Sequence, residues 1–320
     1  MSRTSLGDLR PGRGEKVHGW LRVPGIEPVW EVPGWVIRGA EDGPTLAVTA
    51  GVHAAEYPPI EAATRFARDL DPAELRGTVL LISLVNTPGF FERSLYVNPR
   101  DGKNLNRSYP GRSDGSPAER VTHFLLEELV READAYLDLH CGDLVEALEP
   151  FAMYRVTGDE GLDARARGLA EAYRIRDLIE NQGDDVPGAS HASAADLGVP
   201  AAIVEIGQQG ILDEASVGRH LAGLRQVLVH LGMQRGGATP PPDFRRHRRF
   251  AWLRASASGA LTTTVRCGEQ VVEGQPIGQL RDLFGETLAE LQSPGTGIVL
   301  FLVTSLAVPE GGPIVGVATG

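Results

Sequence analysis

The sequence predicts an α/β protein: a mostly parallel or mixed central sheet flanked by helices, then a small all-β part. Three observations carry this. Continuous apolar runs such as VLLISLV over Val79–Val85 alternate with stretches of helical periodicity. Such runs suit strands covered on both faces, and their alternation with helices marks a parallel sheet. Several runs stop at a histidine or glutamate, as expected where strand ends deliver side chains into a cleft. After GGATPPP (Gly236 to Pro242), which reads as a linker, the texture changes to short alternating apolar pieces broken by Gly and Pro.

In order, residues 1–40 carry short alternating pieces such as Trp35-Val36-Ile37, which read as edge strands, and Gly39 to Gly43 reads as a turn. Thr45 to Ala50 is the first buried strand. Ile60 to Leu70 places Ala62, Ala63, Phe66, Ala67 and Leu70 at helical spacing. Val79 to Val85 is the next strand. Asn86 to Ser113 is polar and rich in Gly, Pro, Asn and Arg, the profile of a long functional loop. Pro117 to Glu132 reads as an amphipathic helix and Ala135 to Leu139 as a strand ending at His140. Further on, Phe151 to Val156 reads as a strand, Leu162 to Tyr173 and Ser190 to Leu197 as helices, Ala201 to Ile206 as a buried strand, and Val217 to Leu231 as a closing helix. The short pieces of 247–320 suit an all-β unit.

Composition narrows the class. Hydrophobic residues make up 42% and charged residues 23% of 320 residues, which is ordinary for a globular protein. The net charge is -11, and the one basic block is Arg245-Arg246-His247-Arg248-Arg249, so nucleic acid is not expected as a partner. No apolar stretch approaches a membrane span, and the N-terminus shows no apolar signal region. Two distant cysteines, Cys141 and Cys267, make no disulfide framework and no Cys-x-x-Cys. A cytoplasmic setting fits.

The candidate chemistry begins at GVHAAE (51–56), where His53 and Glu56 follow a strand end at a spacing compact enough for one metal ion. An isolated His-x-x-Glu pair carries little weight. His140, in LDLHCGD, adds a third donor at another strand end, with Asp138 and Asp143 near enough to orient its ring. Two imidazoles and a carboxylate with an open fourth position form the donor set of a catalytic zinc site. His140 satisfying only a backbone group is the alternative. Glu205 interrupts the apolar strand AAIVEI, where a carboxylate is costly unless paired or used. It is either salt-bridged to an arginine or a general base that takes a proton from the attacking water and passes it to the leaving nitrogen. In NPRDGKNLNRSYPG (98–111), Arg107 suits a bidentate grip on a substrate carboxylate and Asn106 adds a hydrogen bond. Arg100 suits oxyanion stabilisation, with Arg93 as its rival. Residues 176–195, His191 among them, are expected along the pocket.

The combination resembles the succinylglutamate desuccinylase/aspartoacylase family, which shares the zinc carboxypeptidase fold. GVHAAE is similar to the family's Gly-x-His-x-x-Glu motif, NPRDGKNLNRSYPG to its Asn-Pro-x-Asp-Gly-Lys-Asn-Leu-Asn-Arg segment, DLHCGD to the third-ligand segment, and VEIG to the strand carrying the base. The likeness runs in order over roughly residues 30 to 235. It implies one Zn2+ per chain on His53, Glu56 and His140, Glu205 as base, Asn106 and Arg107 as carboxylate anchors, and Arg100 as a catalytic arginine. The implied reaction is hydrolysis of the amide of a small N-acyl amino acid. Ala54 and Ala55 depart from the family pattern, and no counterpart of the C-terminal substrate tyrosine of aspartoacylases can be placed. Both favour a deacetylase of a diamino or modified amino acid over an aspartoacylase proper.

On this reading residues 1–239 form the catalytic domain, with the strands of 1–40 packed on it. Residues 240–320 form a β domain acting as a cap or in oligomerisation. The latter resembles the barrel-sandwich shape of biotinyl and lipoyl domains, but no lysine follows Lys103, so a swinging-arm carrier is excluded. The partner expected is a small N-acylated carboxylate, and a homo-oligomer stays open. Two other readings remain: a carboxypeptidase acting on peptides, and a non-catalytic binding protein on the same fold. No Gly-x-Ser-x-Gly elbow supports a serine hydrolase.

Overall fold

Strands β1 (Glu15–Arg22) and β2 (Glu31–Arg38) form an antiparallel hairpin whose second strand carries the more buried face. The apolar runs then become β3 (Glu41–Ala50), β4 (Arg76–Ile82) and β5 (Ala135–His140). After these come β6 (Glu146–Leu148), β7 (Phe151–Arg155), β8 (Asp177–Asn181), β9 (Ala201–Glu205) and β10 (Arg245–His247). The computed structural model describes residues 4–182, 186–237 and 239–320. Among the described residues, nine strands make one mixed sheet in the order β1-β2-β4-β3-β5-β9-β7-β8-β10. Its centre is parallel, with β1/β2, β2/β4 and β7/β9 antiparallel.

Helices cover both faces. They are α1 (Tyr57–Asp69), α2 (Thr87–Glu92), α3 (Pro117–Leu125, continued by a wider turn to Val130), α4 (Glu160–Ala172), α5 (Ser190–Asp196) and α6 (Glu214–His230). Residues of α1, α4 and α6, such as Phe66, Leu169 and Leu224, pack with Val48, Leu137 and Val204 into one core. Val121 and Leu125 of α3 and Ala194 of α5 join Ala47, Leu80 and Tyr136 in another. Burial of this apolar area is the main stabilising term.

One element differs from the sequence expectation. Trp35-Val36-Ile37 does not lie at the edge: β2 is held between β1 and β4. In the basic block, Arg248 and Arg249 are exposed, whereas Arg245, Arg246 and His247 are paired with acids. Arg245 grips the buried Asp177 with two hydrogen bonds (2.8 and 2.5 Å), His247 Nε2 lies 2.8 Å from the same carboxylate, and Arg246 pairs with Glu171. The two Asp177 contacts zip β10 onto β8, so the large sheet extends past the Gly236–Pro242 stretch, of which residue 238 lies outside the described residues.

The remaining strands are β11 (Arg249–Arg254), β12 (Gly259–Thr263), β13 (Gln270–Val271), β14 (Pro276–Arg281), β15 (Thr287–Gln292), β16 (Gly297–Val303), β17 (Ala307–Val308) and β18 (Pro313–Thr319). They form two antiparallel sheets, β11-β18-β16-β13 and β15-β14-β12-β17. Strand β6 leaves the large sheet's neighbourhood to pair with β16, Glu146 opposite Val303. No helix among the described residues is long and apolar enough to cross a membrane.

Candidate metal centre

Parallel register assembles the site. His140, the last residue of β5, lies beside Glu205, the last residue of β9, and Thr49 of β3 lies beside Asp138 of β5. Residues in register on neighbouring strands share a face, so 65 residues of separation collapse to one strand spacing. His53 follows the end of β3 through Gly51, whose φ of +66° and whose closeness to Leu84 and Ile60 leave no room for a Cβ. Glu56 occupies the N-cap of α1, yet its side chain caps nothing there. Pro58 and Pro59 in the first turn have no N–H to satisfy, which frees the carboxylate for another task.

That task is to meet two imidazoles. Glu56 Oε1 lies 2.7 Å from His53 Nδ1, and Oε2 lies 3.0 Å from His140 Nδ1 and accepts the Cys141 N–H at 3.1 Å. One donor atom from each of His53, Glu56 and His140 falls within 4.8 Å of the others. Glu56 and His140 are buried. Burial alone would push the Glu56 carboxyl up, but His140 and His53 hold it at about 2. Burial would push both imidazoles down. Glu56 outweighs it at His53, and Asp138 with Glu56 outweighs it at His140, so both are raised.

The tautomers follow from the outer partners. Asn104 Oδ1 accepts the Asn106 N–H at 2.8 Å, so that atom is the amide oxygen. His53 Nε2, 3.0 Å from it, must therefore donate. In the neutral ring, Nδ1 then bears a lone pair aimed at Glu56. His140 Nε2 lies 3.0 Å from Asp138 Oδ2, a carboxylate that only accepts; this contact is charge attraction rather than an aligned hydrogen bond. The His53 Nδ1 lone pair, His140 Nδ1 and the Glu56 carboxylate thus converge. Either the imidazoles carry extra protons, as their raised values indicate, or a cation fills the space. The set fits a divalent ion of zinc type.

Asp138 is held by Thr49 Oγ1 (2.6 Å) and Ser190 Oγ (2.5 Å), and Ser190 N donates to Asn106 Oδ1 at 2.9 Å. The oxygen of Asn106 is therefore committed, which leaves its NH2 as the group able to donate to an anion. Arg107 is solvent-accessible yet closely surrounded. Burial and the Arg254 charge lower its pKa, while Glu146 and Glu205 act in the other direction. It stays a cation. Glu205 has a buried Oε2 with no hydrogen-bond partner, and burial raises its carboxyl well above 4.5, with the charge of His140 acting against this. No ion pair to an arginine forms at Glu205 among the described residues.

Arg100 is not brought to the cluster. Its guanidinium donates to the carbonyls of Pro28 and Val29 and lies 5.2 Å from the centre of the Trp30 ring, contacts that hold it against the 28–30 loop. Arg93, the expected rival, is exposed at the left-handed C-terminus of α2. His191 is fully buried, neither ring nitrogen has a partner, and burial pushes it down to about 4. Of the stretch 176–195, residues 183–185 lie outside the described residues.

Three site residues escaped the sequence reading: Asn104, Tyr96 and Glu146. Tyr96 meets the His53 ring edge-on at 6.4 Å, its N–H donates to Asp143 at 2.9 Å, and its hydroxyl bonds Glu146. Burial pushes Glu146 up to about 7. The signal for Asn104 was its place two residues before Asn106, where a short polar side chain turns back on the backbone. Nothing in the sequence singled out Tyr96 or Glu146.

A family model described as the succinylglutamate desuccinylase/aspartoacylase catalytic domain matches residues 42–231. The N-alpha-acetyl-L-2,4-diaminobutyric acid deacetylase of Halomonas elongata is 28% identical over 284 residues, covering 86% of this chain and 82% of that protein. The succinylglutamate desuccinylase of Burkholderia orbicola is 28% identical over 214 residues, 62% of this chain and 61% of that one. Among solved structures, the product-bound ectoine utilization protein EutE (DoeB) from Ruegeria pomeroyi superposes with a TM-score of 0.86 at 23% identity over 95% of each chain. A succinylglutamate desuccinylase/aspartoacylase from Rhodobacter sphaeroides does so with a TM-score of 0.83 at 25% identity, again over 95% of each chain.

Proposed function

Because the chain belongs to the succinylglutamate desuccinylase/aspartoacylase family, we propose that it is a zinc-dependent deacylase cleaving the amide of a small N-acyl amino acid. The observation that carries the proposal is the convergence of His53 Nδ1, His140 Nδ1 and the Glu56 carboxylate beside the unpartnered Glu205. In this reading His53, Glu56 and His140 hold the ion, which when bound supplies Lewis acidity and lowers the pKa of water. Glu205 accepts the proton of the attacking water and returns it to the departing nitrogen. Arg107 and the Asn106 amide NH2 hold the substrate carboxylate.

The substrate class proposed is an N-acetylated diamino acid. Two features support it. The Halomonas elongata relative is named for such a substrate and aligns over most of both chains. Asp143 and Glu146 stand beside Tyr96 at the edge of the cluster, and burial raises both carboxyls. A substrate ammonium would relieve that cost by favouring their charged forms.

The test is metal content and turnover of the purified protein beside a His53→Ala variant. About one zinc per chain, lost in the variant together with acetate release from N-acetyl-2,4-diaminobutyrate, is expected. A chain that binds no zinc at its wild-type sequence would remove the mechanism. Zinc without hydrolysis of any N-acyl amino acid would remove the substrate class.

A further inference from the structure

Away from the metal centre, on the face covered by α4 and α6, lies a cavity of about 330 Å³ whose lining includes Tyr173, Arg174, Ile206, Arg219, Ala222, Gly223 and Arg225. Three of its ten lining residues are arginines and none is acidic, in a chain of net charge -11. Several arginines here hold an acid: Arg65 holds Glu214 and Glu61, Arg131 holds Glu127, Arg245 holds Asp177. Arg174, Arg219 and Arg225 make no ion pair among the described residues. Arg174 Nε is buried with no acceptor, and the residue sits at φ +63°, a left-handed conformation uncommon for a side chain of this size. A buried guanidinium N–H without a partner is costly unless something else accepts it.

The cavity is also shaped. Gly223 of α6 has no Cβ, and one placed there would fall 2.3 Å from the Tyr173 ring, so glycine is what lets that ring form the floor. The Tyr173 hydroxyl is turned away and occupied by His220, whose Nε2 donates to the Ile206 carbonyl at 3.1 Å. The floor is therefore fixed, and Gln226 and Thr239, bonded to each other, are the other polar residues of the lining. Three guanidinium groups around one cleft with no acid in its lining suit a small molecule carrying a phosphoryl group.

We propose that Arg174, Arg219 and Arg225 form a second ligand site, which takes a phosphoryl group, free or as a small phosphomonoester. It is independent of the deacylase reading and shares no side chain with the metal centre. Its occupant would nonetheless touch Ile206, whose N–H donates to the His140 carbonyl.

The experiment is calorimetric titration of the full-length protein with inorganic phosphate and, in a second arm, glycerol phosphate, at ionic strength held with sodium chloride. Three variants accompany the wild type: Arg219→Gln/Arg225→Gln, Ala222→Trp to fill the cavity, and Arg107→Gln to remove the cation of the other site. Arg219, Arg225 and Ala222 are exposed on a helix, so folding is checked by the melting profile. One phosphoryl ligand per chain is expected in at least one arm. Affinity should fall roughly 100-fold in the double variant, each lost charged hydrogen bond costing about tenfold, be blocked in Ala222→Trp and persist in Arg107→Gln. The tighter arm identifies the source. No binding in either arm, undiminished binding in the double variant or in Ala222→Trp, or loss in Arg107→Gln overturns the assignment.

Discussion

Substituting Glu205 by Gln separates the proton-transfer role from every other role this side chain could have. The amide matches the carboxyl in size, and Oε2 has no hydrogen-bond partner to lose. Glu205 is not among the three donors that converge, so zinc content should equal that of the wild type. Removing a general base costs about 10²–10⁴ in kcat, equivalent to about 3–5 kcal/mol of transition-state stabilisation. Stability gives a second readout with a definite sign. Burial holds the folded carboxyl well above its ordinary 4.5. Below that pH both folded and unfolded chains are protonated. As pH rises through it the unfolded chain ionises first, so the wild type loses stability up to the folded pKa. The amide has no such loss. In the metal-free protein the variant should therefore gain on the wild type as pH rises above about 4.5 in urea unfolding. Acetate release at saturating substrate, with zinc measured on the same sample, tests the kinetic half. A fully metallated variant within about threefold of the wild-type kcat would exclude Glu205 as the base. A stability difference flat across pH would mean that the carboxyl is not held protonated by its surroundings.

Two further substitutions probe the support around the site. Asp138→Asn should weaken zinc binding by about 10–100-fold in chelator competition, since Asp138 faces His140 Nε2 at 3.0 Å; unchanged affinity would make Asp138 only a packing group. Gly316→Ala tests the β sheets, because a Cβ there would fall 1.8 Å from the Phe250 ring. Overpacking of this kind costs about 1–3 kcal/mol, so a lower melting temperature is expected by calorimetry, with zinc content unchanged.

The central sheet was legible because its strands are covered on both faces and read as unbroken apolar runs. Thr45–Ala50, Ala135–Leu139 and Ala201–Ile206 all appear in the structure within a residue or so at their C-terminal ends. Strand β8, DLIEN, was not expected as a strand, and the reason is electrostatic. Its first residue is an aspartate that is buried only because Arg245 and His247 compensate its charge from the neighbouring strand. Neither partner looks like strand sequence on its own, since RRH reads as a solvated basic block until its acids are located. The place of Arg100 was hidden for a related reason. A guanidinium suits an oxyanion equally well on paper wherever it stands, and only the fold reveals that the Pro28 and Val29 carbonyls and the Trp30 ring already hold it. The donor set was legible because strand ends place side chains predictably. Asn104 was not, because its role is to fix which ring nitrogen carries a proton, and that depends on a contact across 51 residues.

The hydrogen-bond network also explains why the two halves of the proposed site must move together. Ser190 donates through Oγ to Asp138, which faces His140, and through its backbone N–H to Asn106, the proposed carboxylate anchor. Asn106 in turn donates its own N–H to Asn104, which sets the tautomer of His53. Following the contacts from His53 to His140 therefore passes through Asn104, Asn106, Ser190 and Asp138 without leaving hydrogen-bond distance until the final ion contact. The loop carrying Asn104 and Asn106 and the strands carrying Asp138 and His140 are one polar network. A half-satisfied buried network is costly, so displacing the loop leaves the Asn106 Oδ1 acceptor and the Ser190 N–H unpaired. On the proposed deacylase reading, that cost would hold Asn106 at a fixed distance from the reacting centre, as hydrolysis of a short substrate with a carboxylate close to its amide requires.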